Sequence, residues 1–173
     1  MLQRFLYLLI ILSVLIGCNT NKQKNGNSLF THISNTKDNN AHYDLNQILD
    51  AGELIIGTIS GPTTYFDYNG QGLGIQYALA QNFAQSQGVR LRVELAKNEQ
   101  QLVQLLKNKD IDIAVYQLKK SFIQSQQLTS AGAQEEKVST SWAVNKSSED
   151  LAQALNDWYS AGVALKIQKE ETK

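Results

Sequence analysis

Residues 44–58 read Asp-Leu-Asn-Gln-Ile-Leu-Asp-Ala-Gly-Glu-Leu-Ile-Ile-Gly-Thr, and this stretch sets the architecture. Asp44 is placed to cap a short helix carrying Leu45, Ile48 and Leu49, which stops at Gly52. From Glu53 to Thr58 the chain is apolar without alternation, as in a strand buried on both faces. Such a strand needs cover above and below, so a layered α/β domain is expected.

The pattern continues outward from that strand. A loop from Ile59 to Gly74 holds the chain's one proline, Pro62, and glycines 61, 70, 72 and 74. Asn69-Gly70, flanked by Tyr65, Phe66 and Tyr68, reads as the turn of a small hairpin. Ile75 to Gln87 is a helix with Ile75, Leu79 and Phe83 on one face and Gly88 as its stop. Val89 to Leu95 alternates, with Val89, Leu91, Val93 and Leu95 inward, as expected near a sheet edge. Asn98 caps a helix to Lys107, and Ile111 to Val115 is the next strand. Tyr116 to Glu136 is polar, with a helix expected around Ser121 to Leu128. Val138 to Val144 alternates as a strand, and Ser147 or Ser148 caps a helix bearing Leu151, Leu155 and Trp158 that continues or kinks at Gly162 on the way to about Lys169. Short connections between these elements imply right-handed crossovers and a mostly parallel sheet of about four strands with helices on both faces. If the first strand lies between the second and third, its connections leave in opposite directions and open a crevice at the carboxyl ends. Ser60, Thr63, Thr64 and Tyr65 after the first strand, and Tyr116 and Gln117 after the third, are the candidate ligand-binding residues.

Composition removes whole classes of chemistry. The chain has 173 residues, 16 basic and 16 acidic side chains and a net charge of zero, which argues against a nucleic-acid surface. Its two histidines, His32 and His42, fall in an Asn-, Lys- and Ser-rich segment before Asp44, and its one cysteine is Cys18. The region from Asp44 onward therefore excludes Ser-His-Asp and Cys-His catalysis and any zinc site built on imidazole or thiolate. Asp110 and Asp112 flank a strand start with no third acid near them, so no metal site is expected. Glu135-Glu136 read as solvated and Trp142 and Trp158 as core, with the alternative that Trp142, on a terminal strand, faces the crevice. The glycines at 70, 72 and 74 have the wrong spacing for a dinucleotide loop, and no cofactor is implied. No catalytic residue emerges.

At the amino end, Met1 to Arg4 is a short basic segment and Phe5 to Ile16 is apolar, too short to span a bilayer. Leu15-Ile16-Gly17-Cys18 resembles the lipobox of bacterial lipoproteins, which implies cleavage after residue 17 and lipidation of Cys18. Residues 18–43 then form a tether, reaching on the order of 25 to 30 Å as a flexible coil, and residues 44–173 form one domain. The protein is expected in the cell envelope, held on the inner or outer membrane through Cys18.

Three groups of residues carry a wider resemblance. Leu45 to Ile48 with Gly52 to Thr58, Gly74 to Ala80 with Phe83-Ala84 and Gly88-Val89, and Lys109 to Ala114 together resemble the opening lobe of family 3 extracellular solute-binding proteins. Pro62 to Tyr65, Tyr77 to Ala80, Ser141 to Val144 and Leu155-Asn156 resemble the solute-binding-like domain of the membrane-bound lytic transglycosylase F group. The resemblance implies a single periplasmic-binding-protein-like lobe. It also departs from the pattern: the stretch between Val115 and Val138 is too short for a second lobe, Ala78 stands where an acid is usual, and the Thr-x-x-Arg that clamps a ligand carboxylate has no counterpart, Lys119-Lys120 being the nearest cation. The helical catalytic domain has no counterpart in this stretch. The implied function is non-catalytic: binding a small amino-acid-type or muropeptide ligand, or presenting the lobe to an envelope partner or a second copy. The alternatives are an interaction lipoprotein without ligand, and a relative of the transglycosylase keeping only its regulatory part.

Overall fold

Asp44 opens the described part of the chain, which in this computed structural model spans residues 44–162. The expected leader, Cys18, the expected tether with its two histidines and residues 163–169, expected to continue the last helix, lie outside the described residues. Helix α1, Leu45–Ala51, begins with the Asp44 carboxylate accepting the Leu45 N–H at 2.8 Å while Gln47 Oε1 accepts the Asp44 N–H at 2.7 Å. It closes at Gly52, whose φ of 67° suits a residue without Cβ. Strand β1 follows over Glu53–Ile59, then the hairpin β2 Phe66–Tyr68 and β3 Gln71–Leu73, helix α2 Ile75–Ser86, strand β4 Arg90–Ala96 and helix α3 Glu99–Asn108. Strand β5 is Ile113–Lys119, helix α4 Lys120–Ser125, strand β6 Leu128–Glu135, strand β7 Thr140–Asn145 and helix α5 Glu149–Ser160. A single 3-10 turn, Glu136–Val138, joins β6 to β7.

The five-stranded sheet has the order β4-β1-β5-β7-β6. Strand β1 pairs in parallel with both β4 and β5, while β7 is antiparallel to β5 and β6. Four strands thus point one way and β7 alone runs back. Helices α1, α2 and α5 cover one face, burying Ile48, Phe83, Leu155 and Trp158 against Ile56 and Trp142. On the other face, α3 and α4 bury Leu102, Leu106 and Ile123. Gly57 lets α3 approach closely, because a Cβ there would run into Ile111 and Leu102. This is an α/β lobe with a mostly parallel sheet covered by helices on both faces, as the sequence implied.

Three expectations change. Leu95 is 54% exposed, although it shares a face with Leu91 and Val93, which pack on the core; it lies near the end of the edge strand β4. The helix expected around Ser121 to Leu128 is Lys120–Ser125, and the polar stretch after it is the fifth strand, β6. Strand β5 begins two residues after Ile111 and runs to Lys119, so Tyr116 and Gln117 lie in a strand and not in the loop beyond it.

Asp112 fastens the start of β5 to β1. Its N–H donates to the Ile55 carbonyl at 2.8 Å, and its Oδ2 accepts the Ile55 N–H at 2.7 Å. Burial outweighs that bond and the nearby Arg92 guanidinium, raising the carboxyl from 3.8 to about 6, and Glu53 adds to the rise. The folded chain therefore holds a proton on Asp112 across a range where the unfolded chain has released it. This group's contribution is full below about pH 4 and is lost as pH rises to about 6, with a slope of at most about 1.4 kcal/mol per pH unit. Asp112→Asn keeps an acceptor for Ile55 and removes the titration. Urea midpoints measured from pH 4 to 7 are expected to fall less steeply with pH in the variant than in the wild type; parallel profiles would contradict this assignment.

Candidate functional site

The first wall of the site is the turn after β1. Gly61 N–H meets the Tyr65 carbonyl at 2.9 Å, and Thr64 Oγ1 reaches back to the Ile59 carbonyl at 2.5 Å. The carbonyls of Thr63 and Thr64 then accept the N–H groups of Gln76 and Tyr77 at 3.1 Å each, so the turn caps α2 with its backbone. Gly74, at a φ of 123°, makes that close approach possible. Tyr65 stands edge-on to Tyr77 with ring centroids 5.2 Å apart, and burial, with Tyr65 beside it, raises the Tyr77 phenol above its usual value.

The opposite wall comes from irregularities on both sides of β7. Pairing with β5 jumps from Ala114↔Ala143 to Leu118↔Ser141, and pairing with β6 jumps from Ala131↔Trp142 to Gln134↔Ser141. Each flanking strand therefore bulges at the same level, which re-aims its side chains. Gly132, with a φ of 72°, sits in the β6 bulge; its N–H donates to Asn156 Oδ1 at 2.9 Å, tying the bulge to α5. The β1–β5 ladder ends at Gly57↔Ala114, and Thr58 Oγ1 extends it by one bond to the Val115 carbonyl at 2.7 Å. Past that point the two strands part.

Between these walls lies an open cleft of about 460 Å³, within the range of small-molecule sites. Thr63, Thr64, Ile75, Gln76 and Leu79 line it from the turn and α2. Tyr116 and Gln117 of β5, Ala133, Gln134 and Glu135 of β6 and Tyr159 of α5 complete it. Of the candidates drawn from the sequence, Thr63, Thr64, Tyr116 and Gln117 meet here. Ser60 and Tyr65 do not line the cleft: the Ser60 hydroxyl donates to the Tyr65 carbonyl at 3.2 Å, and the Tyr65 ring packs on Tyr77. Sequence reasoning missed Gln76, Gln134 and Glu135. Gln76 occupies a buried position on α2 where an apolar residue would be expected, and that mismatch is the one signal the sequence offered. The cleft has polar groups suited to hydrogen-bonding a small ligand. Among the described residues, no group of three or more His, Cys, Asp or Glu is placed to hold a metal.

No protein-family model matches the chain. Among curated proteins it is 38% identical over 80 residues to the membrane-bound lytic murein transglycosylase F of Mannheimia succiniciproducens, covering 44% of this chain and 16% of that protein. It is 44% identical over 75 residues to the enzyme of the same name from Sodalis glossinidius, again 16% of that protein's length. The chain thus matches less than a fifth of these relatives. Among solved structures, the arginine-bound form of domain 1 from TmArgBP, an arginine-binding protein of T. maritima, superposes with a TM-score of 0.59 at 21% identity. That match covers 68% of this chain and 98% of that domain. A point mutant of the same domain gives 0.56 at 22% identity, covering 72% of this chain and 98% of that domain. The fold is that of one lobe of a solute-binding protein, and part of the sequence is related to the transglycosylase F group.

Proposed function

We propose that this chain is a lipid-anchored module of the cell envelope that binds a small polar ligand, of amino-acid or cell-wall peptide type, without chemical turnover. The observation that carries the reading is the cleft: it sits where β1 and β5 diverge at their carboxyl ends, the position at which open α/β sheets take ligands, and paired bulges turn side chains into it. The likeness to a single domain solved with arginine supports a lobe that holds a ligand by itself. Absence of histidine and cysteine from residues 44–162 favours binding over catalysis. The lipobox-like Leu15 to Cys18 and the membrane-bound relatives support the anchor, which fractionation of the full chain beside a Cys18→Ser variant tests.

A panel of L-amino acids and muropeptides tests the binding reading by thermal shift. A true ligand raises the melting midpoint with concentration, reaching about 2.7 kcal/mol of added stability at a hundredfold excess over Kd. No shift with any member, together with co-purification of an envelope protein, would instead favour an interaction lipoprotein. Murein release by the purified domain would overturn the non-catalytic reading.

A further inference from the structure

Two glutamines of the cleft are each held in one orientation, by different neighbours. The Trp142 indole N–H donates to Gln76 Oε1 at 2.6 Å. Lys120 Nζ donates to Gln134 Oε1 at 2.8 Å. An indole and an ammonium can only donate, so in both cases the amide oxygen is the atom engaged and the NH₂ group is left over. Neither Nε2 has a protein partner among the described residues, and both glutamines line the cleft. The site therefore offers two oriented neutral donors. No lysine or arginine lines it, Lys120 being held on Gln134, and its one charged lining residue is Glu135.

We propose that the cleft selects a neutral oxygen acceptor, the carbonyl of a peptide bond or carboxamide, over a free carboxylate, with Gln76 and Gln134 as the specificity-determining donors. This rests on the ligand-binding reading above and narrows it. A carboxylate entering the cleft gives up water and meets no cation on the lining, the Lys120 ammonium being engaged by Gln134, while Glu135 repels it. An amide carbonyl loses far less on leaving water, and two amide N–H donors suffice to satisfy it. Trp142 and Lys120 act through the glutamines: they fix which end of each amide faces a ligand, so no reorientation is needed on binding.

The test is calorimetric titration of the protein with matched pairs, L-alanine against L-alaninamide and L-arginine against L-argininamide. The amide of each pair is expected to bind about tenfold tighter or more. Because the amides carry one more positive charge, the titrations are repeated with Glu135→Gln, in which the preference must persist. Gln134→Glu keeps a partner for Lys120 while exchanging the donor for an acceptor, and Gln76→Glu does the same opposite Trp142. Each is expected to lower amide affinity by about tenfold, with the Gln134→Glu melting midpoint unchanged. In Trp142→Phe, where Gln76 is free to turn over, the amide-to-acid ratio is expected to fall towards one, a readout that looser packing alone does not move. Acids binding as tightly as their amides would overturn this inference and leave the ligand-binding reading standing. Failure of every acid and every amide to bind would overturn both.

Discussion

Gly74→Ala is expected to destabilise the domain by about 3 kcal/mol or more and to distort the cleft along with it. Two faults combine at this position. A φ of 123° is one that side-chain-bearing residues rarely adopt, and the added Cβ would fall 2.6 Å from the Thr64 carbonyl oxygen, 2.8 Å from its carbon and 3.2 Å from the Tyr65 nitrogen. All three are backbone atoms, so no rotamer change relieves the collision. The same Thr64 carbonyl accepts the Tyr77 N–H, so retreat of the turn uncaps α2 and shifts Thr63 and Thr64 away from Gln76. Urea unfolding gives the stability loss. Gly70→Ala is the control: its φ of 79° is also positive, but nothing lies within 4 Å of the new Cβ, and about 1 to 2 kcal/mol is expected. Equal losses in the two variants would show that the collision with the turn is not the cause.

Asp44→Ala is expected to cost about 2 to 4 kcal/mol, more than an ordinary helix cap, because one carboxylate serves two helices. Its Oδ1 accepts the N–H groups of Leu45 and Leu151 at 2.8 Å, and its Oδ2 accepts that of Asp150 at 2.8 Å. Ser148 is the N-cap residue of α5 by position, and Asp44, at the head of α1, supplies the carboxylate that accepts from the first turn of α5. Asp44→Asn retains one acceptor oxygen and is expected to lose about half as much. Hydrogen exchange locates the effect: the amides of Leu45, Asp150 and Leu151 should lose protection together. Loss confined to Leu45 would mean that the link between the helices contributes nothing.

The part of the fold that was legible in the sequence is the part set by local chemistry. Capping of α1 by Asp44, the central apolar β1, the Asn69-Gly70 hairpin and the edge position of β4 follow from local chemistry: a cap residue, an apolar run, a turn dipeptide, an alternation. The switch point follows from strand order alone; of the residues expected around it, Thr63, Thr64, Tyr116 and Gln117 line the cleft and Ser60 and Tyr65 do not. Strand β6 was hidden because Leu128-Thr-Ser-Ala-Gly-Ala-Gln-Glu135 is made of small and polar residues. Its pairing comes from β7 and its register from a bulge, neither of which leaves a periodic trace. Gln134 and Glu135 were hidden with it. Gln76 was concealed differently, since its partner Trp142 lies 66 residues away and only the folded chain brings them together. The reach of Asp44 to α5 is of the same kind.

That reach has a consequence for how the domain comes into being. The carboxylate at the head of α1 meets amides that lie 106 and 107 residues further along. Whether the chain is delivered by a ribosome or through a membrane, amino end first, Asp44 arrives well before those amides. Throughout that interval α1 can hold only its local capping box, and the link that joins it to the rest of the lobe has not yet been made. The domain is therefore finished by its last helix, and a nascent chain stalled before Glu149 remains an open precursor whose first helix is still waiting for its second partner.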